Sequence, residues 1–180
     1  DIVLDLHTGP ISSQHLYCPE YATESARYFN IPHVLVIPND FDGAMDEASF
    51  CPWWQLSEQL AQQGREFNVQ VEAFTVELGS QEKIDLSAAF DDAQSILSYL
   101  NHKQVFVDAP YKPKVMTRYG CQLNDYIAYY APMGGMVEYL APLGGHIKAG
   151  EPIAKILRME RYLSEQPLQT LSFDLDAIAI

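Results

Sequence analysis

The first nine residues, Asp-Ile-Val-Leu-Asp-Leu-His-Thr-Gly, constrain the fold more than any other stretch of the chain. Apolar residues alternate in it at the period of a β-strand, which places Asp5 and His7 on one face near the strand's end. Gly9 and Pro10 then end the strand. Ligands of open α/β sheets bind at the carboxyl ends of strands, so His7 is a candidate metal ligand. The alternative is a structural histidine that is hydrogen-bonded to Asp5.

A second apolar stretch, residues 69–79, also ends in an ionisable group, Glu77, followed by Gly79. An imidazole and a carboxylate, each at the end of a strand and shortly before a glycine, would form half of a site for metal-assisted hydrolysis. The alternative for Glu77 is a solvated carboxylate at a strand end. For His15, in the predicted loop of residues 8–18, a structural role is favoured over a ligand role, and His33 is interpreted as structural.

Helices and strands alternate through the first part of the chain. The pattern predicts helices over residues 19–28, 53–63 and 85–102, the last capped by Asp85 or Ser87, and strands over residues 1–9, 33–38 and 69–79. The fold class is therefore α/β, with a mixed or parallel sheet flanked by helices.

The period changes at about Val105, after which short strands and glycine-rich turns replace the long helices. The paired glycines of residues 131–154 are typical of a compact β module. We therefore predict two domains, residues 1–104 and residues 105–180.

The net charge of −13 disfavours nucleic acid and anionic membrane surfaces as partners. An anionic substrate would need a local positive centre, which a divalent metal supplies. The three cysteines, Cys18, Cys51 and Cys121, lack CxxC spacing and are interpreted as reduced thiols of a cytoplasmic protein. No apolar run is long enough to predict a transmembrane helix.

Both ends of the chain lie inside strand-like segments, and the first residue is Asp1 instead of methionine. The expectation is that these 180 residues are a piece of a longer chain.

Two motifs, Asp-Leu-His-Thr-Gly at residues 5–9 and Phe-Thr-Val-Glu-Leu-Gly at residues 74–79, resemble the succinylglutamate desuccinylase/aspartoacylase family of the zinc carboxypeptidase clan. The resemblance implies a zinc carboxypeptidase-like fold and one Zn²⁺ per intact chain, held by His7 and by the His and Glu of an HxxE motif. It implies that Glu77 is the general base and acid, and that Asp5 orients a ligating imidazole. The implied reaction is hydrolysis of the amide bond of a small anionic N-acyl amino acid by metal-activated water.

The sequence departs from the family pattern in lacking HxxE and the family's arginine- and asparagine-containing motif. Both are expected upstream of Asp1, so this fragment alone is expected to be inactive. Arg65 is a candidate for binding the substrate carboxylate. A carboxypeptidase-like peptidase and a non-catalytic small-molecule binding protein remain alternatives, and a homo-oligomer is left open.

The glycine-rich second part resembles the barrel-sandwich domain of this family and of biotinyl/lipoyl carriers. Met159, Glu160 and Arg161 stand where a carrier has Met-Lys-Met. Because Glu160 has no amine to acylate, the carrier function is excluded while the fold is retained. By resemblance, this domain would cover the catalytic cleft.

Overall fold

The computed structural model describes residues 1–40, 43–106, 110–161 and 168–180. The chain divides into two compact units, Asp1–Tyr126 and Ile127–Ile180. The first unit contains strands β1 (Ile2–Gly9), β2 (Gln14–Pro19), β3 (His33–Ile37), β4 (Glu72–Ser80) and β5 (Tyr119–Gln122), and helices α1 (Thr23–Ala26), α2 (Cys51–Gln62) and α3 (Leu86–His102). Short 3-10 turns lie at Glu20–Ala22, Glu47–Ser49 and Leu123–Asp125.

The five strands form one sheet in the order β1-β4-β2-β3-β5. β1 is parallel to β4, and β3 is parallel to both β2 and β5, whereas β2 and β4 are antiparallel. The predicted mixed α/β sheet is therefore confirmed. Its strand order makes β4 the neighbour of both β1 and β2.

Each face of the sheet has its own apolar core. On one face, Phe74 and Val76 of β4 belong to a cluster that also contains Tyr99 of α3 and Phe29, which lies between α1 and β3. Alternation along β4 turns Ala73 to the opposite face, where it belongs to a second cluster with the beginning of α2. Glu77 has the same parity as Ala73 and therefore shares this second face.

The prediction of a loop over residues 8–18 was wrong, because residues 14–19 form β2. Leu16 and Cys18 of this strand are fully buried between the neighbouring strands. The segment is too short to show a clear period, and its pairing on both sides defines it as a strand. The helix predicted over residues 19–28 is also shorter, since only Thr23–Ala26 is α-helical.

Helix α3 begins where the sequence predicts, with Asp85 accepting hydrogen bonds from the backbone N–H groups of Ser87 and Ala88. The helical spacing of apolar residues predicts an inner face of Leu86, Phe90, Ala93, Leu97 and Leu100, and this prediction was wrong at Leu86 and Phe90, which are exposed. The buried positions are instead Ser95, Ser98 and Tyr99. The reason is Tyr99, whose ring stacks on Phe29 at a centroid distance of 4.3 Å and fixes the rotation of the helix.

The second unit contains β6 (Met136–Tyr139), β7 (His146–Ile147), β8 (Pro152–Leu157), β9 (Leu168–Ser172) and β10 (Ala177–Ile178), with a 3-10 turn at Met159–Arg161. β6, β8 and β9 form an antiparallel sheet, and β7 pairs with β10. The boundary between the two units lies after Tyr126, whereas the predicted domain boundary lies after residue 104. The difference arises because β5 pairs with β3 and so belongs to the first unit. Among the described helices, none is long and apolar enough to cross a membrane.

Candidate functional site

Three polar side chains meet on one face of the sheet, near the carboxyl ends of β1 and β4. His7 lies opposite Glu77 in the parallel β1–β4 register. His7 Nδ1 is 3.8 Å from Glu77 Oε1, and His7 Nε2 is 3.1 Å from Asp5 Oδ2. We call Asp5, His7 and Glu77 the strand-end cluster. The structure thus brings together the three residues that the two motifs single out.

The Asp5 carboxylate determines which nitrogen of His7 is free. An ionised carboxylate only accepts hydrogen bonds, so the proton of a neutral His7 ring belongs on Nε2, which faces Asp5. Nδ1 then keeps its lone pair on the side of Glu77. A carboxylate that orients a histidine in this way is the usual partner of a metal-ligating imidazole. The His7 side chain is half exposed.

His15 lies on the other side of Glu77, which the sequence did not indicate. It belongs to β2, where the antiparallel register with β4 places it opposite Glu77. His15 is buried, and its Nδ1 lies 3.0 Å from the Ser13 carbonyl oxygen. Burial lowers the pKa of His15 below its ordinary value of 6.5, against the opposing effects of Ser13 and Glu77. Recognition of β2 as a strand would have given the signal, because alternation then places His15 on this face.

A small cavity adjoins the cluster at Asp5. The carboxylate of Asp46 and the phenol of Tyr17 also line it. Thr75 Oγ1 donates to Asp46 Oδ2 at 3.0 Å. Burial raises the pKa of Tyr17 to about 12, so its hydroxyl keeps its proton at neutral pH. Carboxylates on two sides make this cavity unsuitable for an anionic substrate group.

Arg65, the candidate for binding a substrate carboxylate, lies between α2 and β4, where its backbone N–H donates to the Leu60 carbonyl. It precedes the beginning of β4, whereas Glu77 lies near that strand's end. In the part of the chain that the structure describes, no hydrogen bond or ion pair connects Arg65 to the strand-end cluster. The substrate-binding role of Arg65 therefore stays a prediction.

The donor set of the cluster fits a zinc site only in part. A catalytic zinc ion uses three protein ligands and one open position. The cluster offers one imidazole nitrogen, Nδ1 of His7, together with the carboxylates of Asp5 and Glu77. Within residues 1–40, 43–106, 110–161 and 168–180, no group of three or more His, Cys, Asp or Glu residues is arranged to hold a metal. His7 would thus be one ligand of a site that needs others.

Comparison with known proteins gives matches that agree with the two motifs. A model of the succinylglutamate desuccinylase/aspartoacylase catalytic domain matches residues 1–103. A comparison with curated proteins gave no match.

Several solved structures are similar over almost the whole chain. A proposed succinylglutamate desuccinylase/aspartoacylase from Shewanella frigidimarina is 54% identical with a TM-score of 0.89, and covers 99% of this chain and 48% of its own. A family protein from Shewanella amazonensis is 52% identical, with the same TM-score and the same coverage. The ectoine utilization protein EutE (DoeB) from Ruegeria pomeroyi is 17% identical with a TM-score of 0.66, and covers 100% of this chain and 54% of its own. The chain thus spans about half the length of the structures that it matches.

Proposed function

The chain belongs to the succinylglutamate desuccinylase/aspartoacylase family, and on that premise we propose that it supplies part of the active site of a zinc-dependent amidohydrolase. The proposed substrate is a small anionic N-acyl amino acid, whose amide bond is hydrolysed. The observation that carries the proposal is the pairing of His7 and Glu77 across β1 and β4, with Nδ1 and Oε1 3.8 Å apart.

Each residue of the strand-end cluster has a separate task in this proposal. His7 would hold the metal through Nδ1, and Asp5 would keep the ring proton on Nε2. When bound, zinc would supply a positive centre that polarises the amide carbonyl and lowers the pKa of water to roughly 7. Glu77 accepts a proton from the attacking water at Oε1 and returns it to the nitrogen of the leaving amine. General acid–base catalysis of this kind contributes about 10²- to 10⁴-fold to a rate.

The proposal requires two further zinc ligands, which we assign to sequence outside these 180 residues. The matched solved structures have about twice the length of this chain, which gives room for such a contribution. The negative charge of the strand-end cluster also favours a metal ion in the site. Asp5 and Glu77 are both acidic, and an anionic substrate needs the positive charge of the metal to approach them.

The assignment of the second unit as a barrel-sandwich domain also stays a prediction. Its described strands form one three-stranded and one two-stranded antiparallel sheet, which agrees with a small all-β domain.

Substitution of Glu77 in the full-length protein tests the proposal. Glu77→Gln keeps the size of the side chain and removes its basic oxygen. Hydrolysis of N-acetyl and N-succinyl amino acids should fall by at least about 10²-fold, while zinc stays near one ion per chain. Unchanged activity would exclude Glu77 as the base. Loss of zinc would make it a ligand, and faster hydrolysis of peptides by the unmodified protein would favour the peptidase alternative.

A further inference from the structure

We propose that His15 is a positioning residue for Glu77. Its ring occupies the space on the β2 side of Glu77, so that the carboxylate is directed towards His7. This inference rests on the proposed role of Glu77 as the base, and it assigns a task to a residue that neither motif contains.

The sheet register supplies the first argument. β4 has a neighbour on each side at Glu77, with His7 of β1 on one side and His15 of β2 on the other. Side chains of directly opposed residues project from the same face, with Cβ atoms about 4.5–5.5 Å apart in an antiparallel pair. Glu77 therefore stands between two imidazole rings.

The two rings differ in how firmly they are held. His15 is buried, its Nδ1–H donates to the Ser13 carbonyl oxygen at 3.0 Å, and its ring contacts Tyr17 edge-on at a centroid distance of 5.3 Å. His7 is half exposed. The β2 side of Glu77 is thus a fixed wall, and the β1 side opens towards the metal ligand and solvent.

The tautomer and the charge of the His15 ring agree with a purely steric role beside Glu77. Because Nδ1–H is engaged with Ser13, Nε2 carries the lone pair and has no proton to donate to Glu77. The ring is uncharged at neutral pH, since burial lowers its pKa although Glu77 opposes this effect; His33 of β3 acts in the lowering direction. His15 consequently fills space beside the carboxylate without binding it. Misplacement of a reacting group by about 1 Å can reduce a rate by about 10²-fold, so a wall of this kind has a measurable effect.

The test compares His15→Ala with His15→Phe in the full-length zinc-loaded protein. The alanine variant removes the wall, and kcat should fall about tenfold or more at unchanged KM and zinc content. The phenylalanine variant replaces the ring, and kcat should return to within about threefold of the unmodified protein. Crystal structures should show the Glu77 carboxylate displaced from its position 3.8 Å from His7 Nδ1 in the alanine variant only.

His33→Ala is the matched control. His33 is a buried histidine on the same face, one strand further from Glu77, and its Nδ1 has no hydrogen-bond partner among the described residues. This variant should lose thermal stability but keep kcat. An unmoved carboxylate in His15→Ala, equal losses of kcat in the alanine and phenylalanine variants, or an equal loss in His33→Ala would each overturn the inference. Full activity of Glu77→Gln, measured in parallel, would instead overturn the proposed function.

Discussion

Asp5 and His7 project from the same face of β1, and Asp5 Oδ2 lies 3.1 Å from His7 Nε2. This contact leaves Nδ1 as the nitrogen of His7 that can bind a metal. In the proposed zinc site, Asp5 would hold the ring in the orientation that presents this nitrogen.

Asp5→Ala should therefore weaken zinc binding in the full-length protein by about 10- to 100-fold. Competition with a chromogenic chelator measures the affinity. Asp46→Ala is the control, because Asp46 lies on the same face but accepts its hydrogen bond from Thr75. Equal zinc affinity in the two variants would contradict the orienting role of Asp5.

If the proposed zinc site exists, His7→Ala should lose zinc and hydrolytic activity together in the full-length protein, because it removes one of the three proposed protein ligands. Metal analysis after dialysis, combined with turnover of an N-acyl amino acid, separates this result from that of Glu77→Gln. A His7→Ala variant that retains one zinc ion per chain would show that His7 is a structural histidine bound to Asp5.

The stability of the first unit should depend on pH through His15. Its pKa is lowered in the folded chain, mainly by burial, so below pH 6.5 the unfolded chain binds this proton first. The contribution of His15 to the free energy of unfolding is therefore full above pH 6.5 and decreases as the pH falls towards the lowered pKa. Urea unfolding at a series of pH values measures it. His15→Phe should remove this part of the slope, and an unchanged slope would contradict the burial of a neutral ring.

The Glu72 carboxylate stabilises the packing of α3 on the sheet. It accepts hydrogen bonds from the Tyr99 hydroxyl at 2.9 Å, from Lys103 at 2.5 Å and from the Ser25 hydroxyl at 3.1 Å. Glu72→Ala should lower the free energy of unfolding by about 2–3 kcal/mol, because partly buried donors lose a charged acceptor. The exposed Lys114–Asp91 ion pair provides the comparison, where Asp91→Ala should cost less than about 1 kcal/mol. Denaturant titration decides between the two magnitudes.

The second unit should not carry biotin or lipoate. By the predicted resemblance, Glu160 stands where a carrier has its lysine; Glu160 binds Arg158, and the Lys155 Nζ lies 3.6 Å from the Glu138 Oε2 on the neighbouring strand. Intact-mass measurement after expression with a biotin or lipoate ligase should show no added group. A mass shift that maps to Lys148 or Lys155 would contradict this prediction.

The Asp5–His7 half of the strand-end cluster could be predicted from sequence because its geometry is local, and Glu77 was added by its position at a strand end before a glycine and by the motif resemblance. Alternation along β1 places Asp5 and His7 on one face, and a parallel neighbour then brings Glu77 to the same edge of the sheet. The cap of α3 at Asp85 is equally local, since two backbone N–H groups within three residues define it.

The features that the sequence did not reveal depend on partners far along the chain. β2 is a strand because β4 and β3 pair with it on its two sides, and no short-range pattern shows this. His15 was consequently assigned to a loop. The rotation of α3 is likewise fixed by Tyr99 against Phe29 and Phe74, which outweighs the apolar stripe that contains Leu86 and Phe90.

The position of β4 between β1 and β2 also has a kinetic consequence. Consecutive backbone N–H groups of β4 point alternately to β1 and to β2, so the amides around Glu77 meet a ladder on either side. In the described part of the chain β1 pairs only with β4, so every second amide around His7 points away from any ladder. Averaged over each segment, deuterium uptake should therefore be slower around Glu77 than around His7. In the proposed zinc site, the strand of the ligand His7 would open more readily than the strand of the base Glu77, so an ion could enter or leave while the base stays in place.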